Sequence, residues 1–440
     1  MKTPLSPQSK VCALAILTAS FLACQAGSNA TSNGNGGSDS TATTSGGAGQ
    51  GGEPATTSQG GGFVSGSGGN SGEGGGIDCT PGGPDDDIDG DGFTPNQGDC
   101  EDCDPNRNPN AIEVPTLAGK TPYDENCDGV IDEPPGPPCD DLLAIDGSDP
   151  LEAATAIDIC KVSSGVGDWG LVSAKWVVSN GDPPPTSPVQ LQNFHLGHGF
   201  LDGFGPNVFV RRGQRMLVLS SGTARQPDDP GYSSVGGFDK GYTSGHPQGF
   251  PKESPACPGN LTGQPHDSTG VELTMRSPSN ATGVSFDFNF YTYEWPNFVC
   301  STYNDFFVAI LSPIPPGQSD GNISFDSMGN PVSVNNALLQ VCGCDGNPPN
   351  ACSAGGKTFD CPLGDIPLIG TGFGFDMGFE DHGSTSWLRT TAPVSKNEEI
   401  TLRFAVYDSG DGVLDSTTLV DNFQWIATPG TKVGTNPVPQ

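Results

Sequence analysis

Residues 283–311, GVSFDFNFYTYEWPNFVCSTYNDFFVAIL, constrain this chain more than any other stretch. Val284, Phe286, Phe288 and Phe290 alternate with Ser285, Asp287 and Asn289, the period-two pattern of a strand with one face in a core and one in water. A second apolar run, 306–311, follows an insert holding Tyr293, Glu294, Trp295, Pro296 and Cys300. The pattern predicts two strands joined by an aromatic, polar loop. Further β-like runs at 174–178, 215–220, 271–275, 399–407 and 418–426 are separated by Gly, Pro, Asn and Asp clusters. Helical periodicity is confined to about 149–159, with Asp149 as cap and Pro150 in first position. Many strands with few helices predict a mainly β chain, an antiparallel, jelly-roll-like β-sandwich over 140–430. Residues 431–440 read as a disordered tail.

The chain's 440 residues leave room for two or three domains, yet only 33% are hydrophobic and it carries 65 Gly and 41 Pro, so much of it is linker and turn. The formal charge is -33. Phosphate backbones would be repelled, which excludes nucleic acid and makes cations the natural partners. Lys2 and Lys10 precede an apolar segment at 11–23 that is too short to span a bilayer and suits a signal peptide, 1–23. It ends Phe21-Leu22-Ala23-Cys24, which resembles a bacterial lipobox and implies lipidation of Cys24. The alternative is an ordinary signal cleaved near Ala23 or Ala26. Gln25 stands where lipoproteins retained at the inner membrane have Asp, so the resemblance implies an outer-membrane anchor. Residues 24–77 are Gly, Ser, Thr and Asn with almost no apolar side chains and read as a disordered tether.

Fourteen cysteines with an export signal imply disulfides. Setting Cys12 and Cys24 aside, six lie between Cys79 and Cys160 and six between Cys257 and Cys361. Cys100-x-x-Cys103 has zinc-like spacing, but export favours disulfides, with Cys100 to Cys127 a candidate pair.

The acidic stretch 78–139 contains Asp87, Asp89 and Asp91 in a Gly-rich turn, then Asp99, Asp102 and Asp104, then Asp124, Asn126, Asp128 and Asp132. Carboxylates two residues apart in a tight turn can face one hard cation, which predicts structural calcium. The competing reading is an acidic solvated linker. There is no Glu at the twelfth position and no helical flank, which excludes an EF-hand. The order DxDGDG, GDCxDxDP, NPxAIE and NCDGxxDE resembles the metal-binding motif of MopE-like bacterial surface proteins, a family that includes copper binders. Pro134, Pro135, Pro137 and Pro138 then form a stiff hinge.

Within 150–430, four stretches carry a second resemblance: Ser220 to Ala224, Pro278 to Ala281, the Phe286 to Leu311 block, and Asp408-Ser409-Gly410-Asp411 through Asp415-Ser416 to Asp421-Asn422-Phe423. Together they resemble the choice-of-anchor L domain of bacterial surface proteins, which implies surface display and no defined reaction. In the last strand, alternation with Leu419, Phe423 and Trp425 puts Asp421 on the core side. With Asp408, Asp411 and Asp415 it forms a second candidate calcium site; the alternative is a bulge satisfied by backbone N–H groups. Tyr291, Tyr293, Glu294, Trp295 and Asp305 are candidate ligand contacts for a polysaccharide or surface protein, or else core and turn residues. His195-x-x-His198 lies among glycines and reads as a loop rather than a zinc site. Gly317-Gln318-Ser319-Asp320-Gly321 matches a nucleophile-elbow pattern without a following helix, so Ser319 reads as a turn residue. The reading is a non-enzymatic, lipid-anchored binding or adhesion protein. An exported carboxylate-based hydrolase or a copper-capture protein remains open.

Overall fold

A computed structural model describes residues 79–134, 136–335, 338–343, 352–374 and 382–439. The signal, Cys24 and the tether lie outside the described residues. Residues 75–440 form one compact unit. After the short helix α1 (Pro150–Thr155) come β1 (Gly170–Val177), helix α2 (Pro188–Leu196), β2 (His198–Leu201), β3 (Met216–Ser220), β4 (Pro265–Arg276) and β5 (Gly283–Thr292). Next are β6 (Phe306–Ser312), β7 (Val332–Ser333), β8 (Val341–Cys342), β9 (Cys352–Ala354), β10 (Lys357–Phe359) and β11 (Gly383–Ser384). The last four are β12 (Leu388–Pro393), β13 (Glu399–Ser409), β14 (Ser416–Ile426) and β15 (Gly434–Pro437).

Two antiparallel sheets make the sandwich. One has the order β1-β4-β13-β6-β7, the other β15-β12-β5-β14-β3-β2, with β11 bridging β5 and β8. Val284, Phe286, Phe288 and Phe290 of β5 face Leu402, Phe404 and Val406 of β13 and Phe307 of β6 in one shared core. Phe286 meets Phe404 edge-on at 4.8 Å between ring centroids, and Phe288 lies 4.7 Å from Phe307. The two predicted strands therefore exist, but in opposite sheets, so the insert between them is a crossover.

The opposite face of β5 is not in water. Every residue of β5 is buried, because loops carrying Phe204, Val208, Leu368 and Phe373 pack with Tyr291 and Leu419 into a second core over the outside of that sheet. Alternation identified the strand correctly and misjudged what covers it.

Asp149 caps α1 as predicted, its side chain accepting from the Leu151 N–H. Helix α2 was not predicted; its apolar positions follow no helical stripe. The expected C-terminal tail is partly ordered, since β15 pairs with β12 from Leu388↔Pro437 to Thr391↔Gly434. The cysteines pair 79–103, 100–127, 139–160, 257–300 and 342–361, which removes the zinc reading of Cys100 and Cys103.

Truncating Phe288 to Ala should destabilise the fold by about 3–5 kcal/mol in urea unfolding, whereas Ala at Val166, which is 99% exposed, should change stability by less than about 0.5 kcal/mol. A Phe288 loss below about 1 kcal/mol would contradict its place between the sheets.

Candidate functional site

The acidic stretch folds into two similar loops. Asp87 accepts the N–H groups of Gly90 and Gly92, Asp89 that of Asp91, and Asp91 that of Phe93. Asp124 likewise accepts from Asp128 and Gly129, Asn126 from Asp128, and Asp128 from Val130. In each turn the side chains at alternate positions accept backbone N–H groups of the same turn. One ligand oxygen from each of Asp87, Asp89 and Asp91 lies within 4.8 Å of the others. Asp99 comes close to Asp89, and Oδ2 of both is buried without a partner. Burial, then the Asp91 charge, pushes Asp89 up to about 6. That is the condition of a carboxylate poorly compensated by protein alone.

The other predicted ligands are already engaged. Asp102 accepts from Gly82 and Ile88, Asp104 pairs with Arg107 at 3.2 Å, and Asp132 accepts from Thr116. The second loop instead recruits Glu133, which the sequence reading missed and which takes the Asn126 amide at 2.7 Å. These loops are docked on the sandwich. Asn108, fully buried, donates to Asp91 and accepts from the Ser279 hydroxyl, while Asn280 pairs twice with the Ile112 backbone.

In the sandwich the predicted Asp408, Asp411, Asp415 and Asp421 set divides. Asp421 is fully buried opposite Asp287, at a register shift in β14. It accepts backbone N–H bonds from Arg211 and Asn422 at 2.6 and 2.5 Å, so the bulge alternative holds and Asp421 leaves the calcium set. Burial pushes it up to about 8. Asp287 is held by Arg389 at 2.6 Å, Arg211 at 3.4 Å and the Asn422 amide.

Asp408 is the penultimate residue of β13, Asp415 precedes β14, Glu294 lies just after β5 and Asp305 precedes β6. All four are no more than 3% exposed. The Asp305 N–H donates to Glu294 Oε2 at 3.1 Å, and the Ser416 hydroxyl donates to Asp305 Oδ2 at 2.6 Å. Burial, followed by repulsion from Asp408 on Glu294, from Glu294 on Asp305, from Asp305 on Asp408 and from Asp408 on Asp415, raises all four carboxyls well above their ordinary range. Asp411 is half-buried near Glu294.

Trp295 and Tyr291 are 1% and 0% exposed, which corrects their reading as contact residues. Tyr293 is half-buried and stacks on His382 at 3.5 Å. His195 ends α2 and His198 opens β2, not a loop, and their ring nitrogens touch at 3.3 Å. Ser319 lies in an exposed bend with no helix after it. An open pocket of about 310 Å³ is lined by Lys161, Trp169, Arg212 and Trp425. A larger one of about 540 Å³ offers Phe359 as its single aromatic ring.

Residues 212–422 match the family model of the Choice-of-anchor L domain, and no curated protein matches the chain significantly. The match points to a bacterial surface protein. No helix among the described residues is long and apolar enough to cross a membrane.

A carboxyl whose folded pKa is raised binds its proton more tightly folded than unfolded, so its contribution to stability is lost as pH rises between the two values. For Asp421 that window runs from 3.8 to about 8. Urea unfolding at pH 5 and pH 8 should show a smaller loss of stability with rising pH in Asp421→Asn than in the unsubstituted chain; an unchanged loss would contradict the assignment.

Proposed function

We propose that this chain is a lipid-anchored surface protein whose β-sandwich binds a polysaccharide or another cell-surface protein, with calcium holding its acidic loops in shape. The observation that carries the calcium reading is the convergence of Asp87, Asp89 and Asp91 beside the partnerless oxygens of Asp89 and Asp99. Calcium takes six to eight hard oxygen ligands and tolerates such irregular sets. Oxygen donors favour it over copper, which prefers nitrogen and sulfur. The resemblance to MopE-like motifs supports the same placement, and the docking of these loops through Asn108 and Asn280 supports a stiffened base for the head rather than a free linker.

The pocket between Trp169 and Trp425 replaces Trp295 as the contact surface in this proposal. Trp425 and Trp169, the latter with the Lys161 ammonium 4.6 Å from its ring centre, stand beside Arg212, a set that suits sugar rings with acidic substituents. The buried carboxylates of Glu294, Asp305, Asp408 and Asp415 are out of reach of a glycan, which weighs against using them for hydrolysis. The lipid anchor rests on the Cys24 lipobox and the surface location on the family match.

Chelation with EGTA should lower the melting temperature of the oxidised chain by several degrees, and Asp87→Asn with Asp89→Asn should remove part of that response. Melting indifferent to chelator would overturn the calcium reading. Binding to acidic and neutral polysaccharide columns should weaken about tenfold in Trp169→Ala, the order expected for losing one aromatic contact, and loss of fatty-acid labelling in Cys24→Ser tests the anchor.

A further inference from the structure

Four of the buried carboxylates of the sandwich, Glu294, Asp305, Asp408 and Asp415, sit where the chain passes from one sheet to the other. The chain leaves the second sheet after β5, passes through 293–305 and enters the first at β6; it leaves the first after β13, turns through 410–415 and enters the second at β14. Glu294 and Asp305 bound one crossover, Asp408 and Asp415 the other. The crossovers touch: the Tyr293 N–H donates to the Asp415 carbonyl at 3.1 Å and the Asn304 N–H to the Ser409 carbonyl at 3.3 Å. Both oxygens of Asp408, both of Asp415 and Oδ1 of Asp305 are buried with no hydrogen-bond partner. Oδ1 of neighbouring Asn304 is in the same condition.

Protein groups do not balance this charge. Lys240 is the nearby cation, but its ammonium donates to the Ser220 carbonyl, the Asp267 carbonyl and the Thr269 hydroxyl, which uses all three of its protons. Asp267 is itself acidic and takes the Lys240 and Tyr242 N–H groups. The Ser221 hydroxyl offsets part of the burial of Asp408, but its hydrogen bond goes to the Ser416 carbonyl at 3.3 Å. Gly222 leaves the space that the Asp415 carboxylate fills, since a Cβ there would collide with Oδ2. A buried carboxylate without donors costs several kcal/mol, and here the cost recurs at adjacent residues.

We infer that Glu294, Asp305, Asp408 and Asp415 bind one divalent cation of calcium type that ties the two sheets together where they exchange strands. The donors are hard oxygens, and flexible carboxylates at 2.3–2.6 Å from the ion are the usual calcium shell. Among the described residues the 4.8 Å spacing of three ligand atoms is met by Asp87, Asp89 and Asp91 and not by these four, so side-chain rotation toward the ion accompanies binding. The site excludes Asp421 and is independent of the outer loops.

The test uses the oxidised full chain carrying D87N, D89N, D91N, D124N and D128N, which disables the outer loops. Native mass spectrometry after equilibration in millimolar calcium should retain one ion per chain, removable by EDTA, and calcium should raise the melting temperature by about 5 °C. Adding D408N and D415N should abolish both effects. Absence of calcium from the five-site variant, or calcium binding unaffected by D408N and D415N, would overturn the inference. Should the seven-site variant fail to fold, aromatic-sensitised terbium emission from the five-site variant, displaced by calcium, decides the question, and its absence counts against the site. Failure of the outer-loop reading is distinguishable: the unsubstituted and five-site chains would then bind the same single ion.

Discussion

The structure depends on β5 being covered on both faces. Its apolar face fills the space between the sheets, and its polar face lies under a second core, so Asp287 and Asn289 must find partners inside protein. Asn289 is met by the Ser384 hydroxyl and the Tyr291 hydroxyl. Asp287 stands opposite Arg389 on β12 and opposite Asp421 on β14. Two acids facing each other across adjacent strands repel. The fold separates their partners: Asp287 takes the guanidinium groups, and Asp421 takes the backbone N–H groups of Arg211, Arg212 and Asn422. This arrangement adds to the phenylalanines in fixing the register of three strands, because a slip by one residue would leave a buried carboxylate unpaired.

What could be read from the sequence follows from range. Period-two alternation and short apolar runs are local, and they located β5, β6, β13 and β14 within a residue or two; Asp149 and Pro150 announced α1 for the same reason. The assignment of β5 and β6 to opposite sheets, and the covering of the polar face of β5, depend on loops far away in the chain and leave no local mark. Asp87, Asp89 and Asp91 converge because their spacing sits within one turn. Glu133 was missed because its recruitment by Asn126 depends on how the loop after Asp128 folds back. Glu294 and Asp305 were recognised as unusual acids within an aromatic insert, but their meeting with Asp408 and Asp415 is a product of topology.

The same topology joins the acidic loops to the head. The turn at Pro278–Ala281 lies between β4 and β5, so it belongs to both sheets, and Ser279 and Asn280 are the residues that hold Asn108 and Ile112. Asn108 in turn donates to Asp91. A change in the Asp87–Asp91 loop is therefore one buried amide away from the strand that organises the sandwich.

Sheets in a sandwich are not hydrogen-bonded to each other; apolar contact holds them together, and it resists sliding weakly because it is non-directional. The strand exchanges are the places where covalent chain and directional bonds can fix one sheet against the other. In this protein two of the exchanges, β5 to β6 and β13 to β14, meet, and the residues at the meeting point are acids rather than an apolar plug or a disulfide. A protonated carboxylic acid would make a poor fastener there, since none of the oxygens of Asp408 and Asp415 is hydrogen-bonded. Four acids are costly as filler and effective as ligands. Their position converts a local demand for charge balance into a constraint on the relative placement of both sheets, and it puts that constraint beneath the insert carrying Trp295 and the loop after Ser220, two of the stretches that mark the matched family.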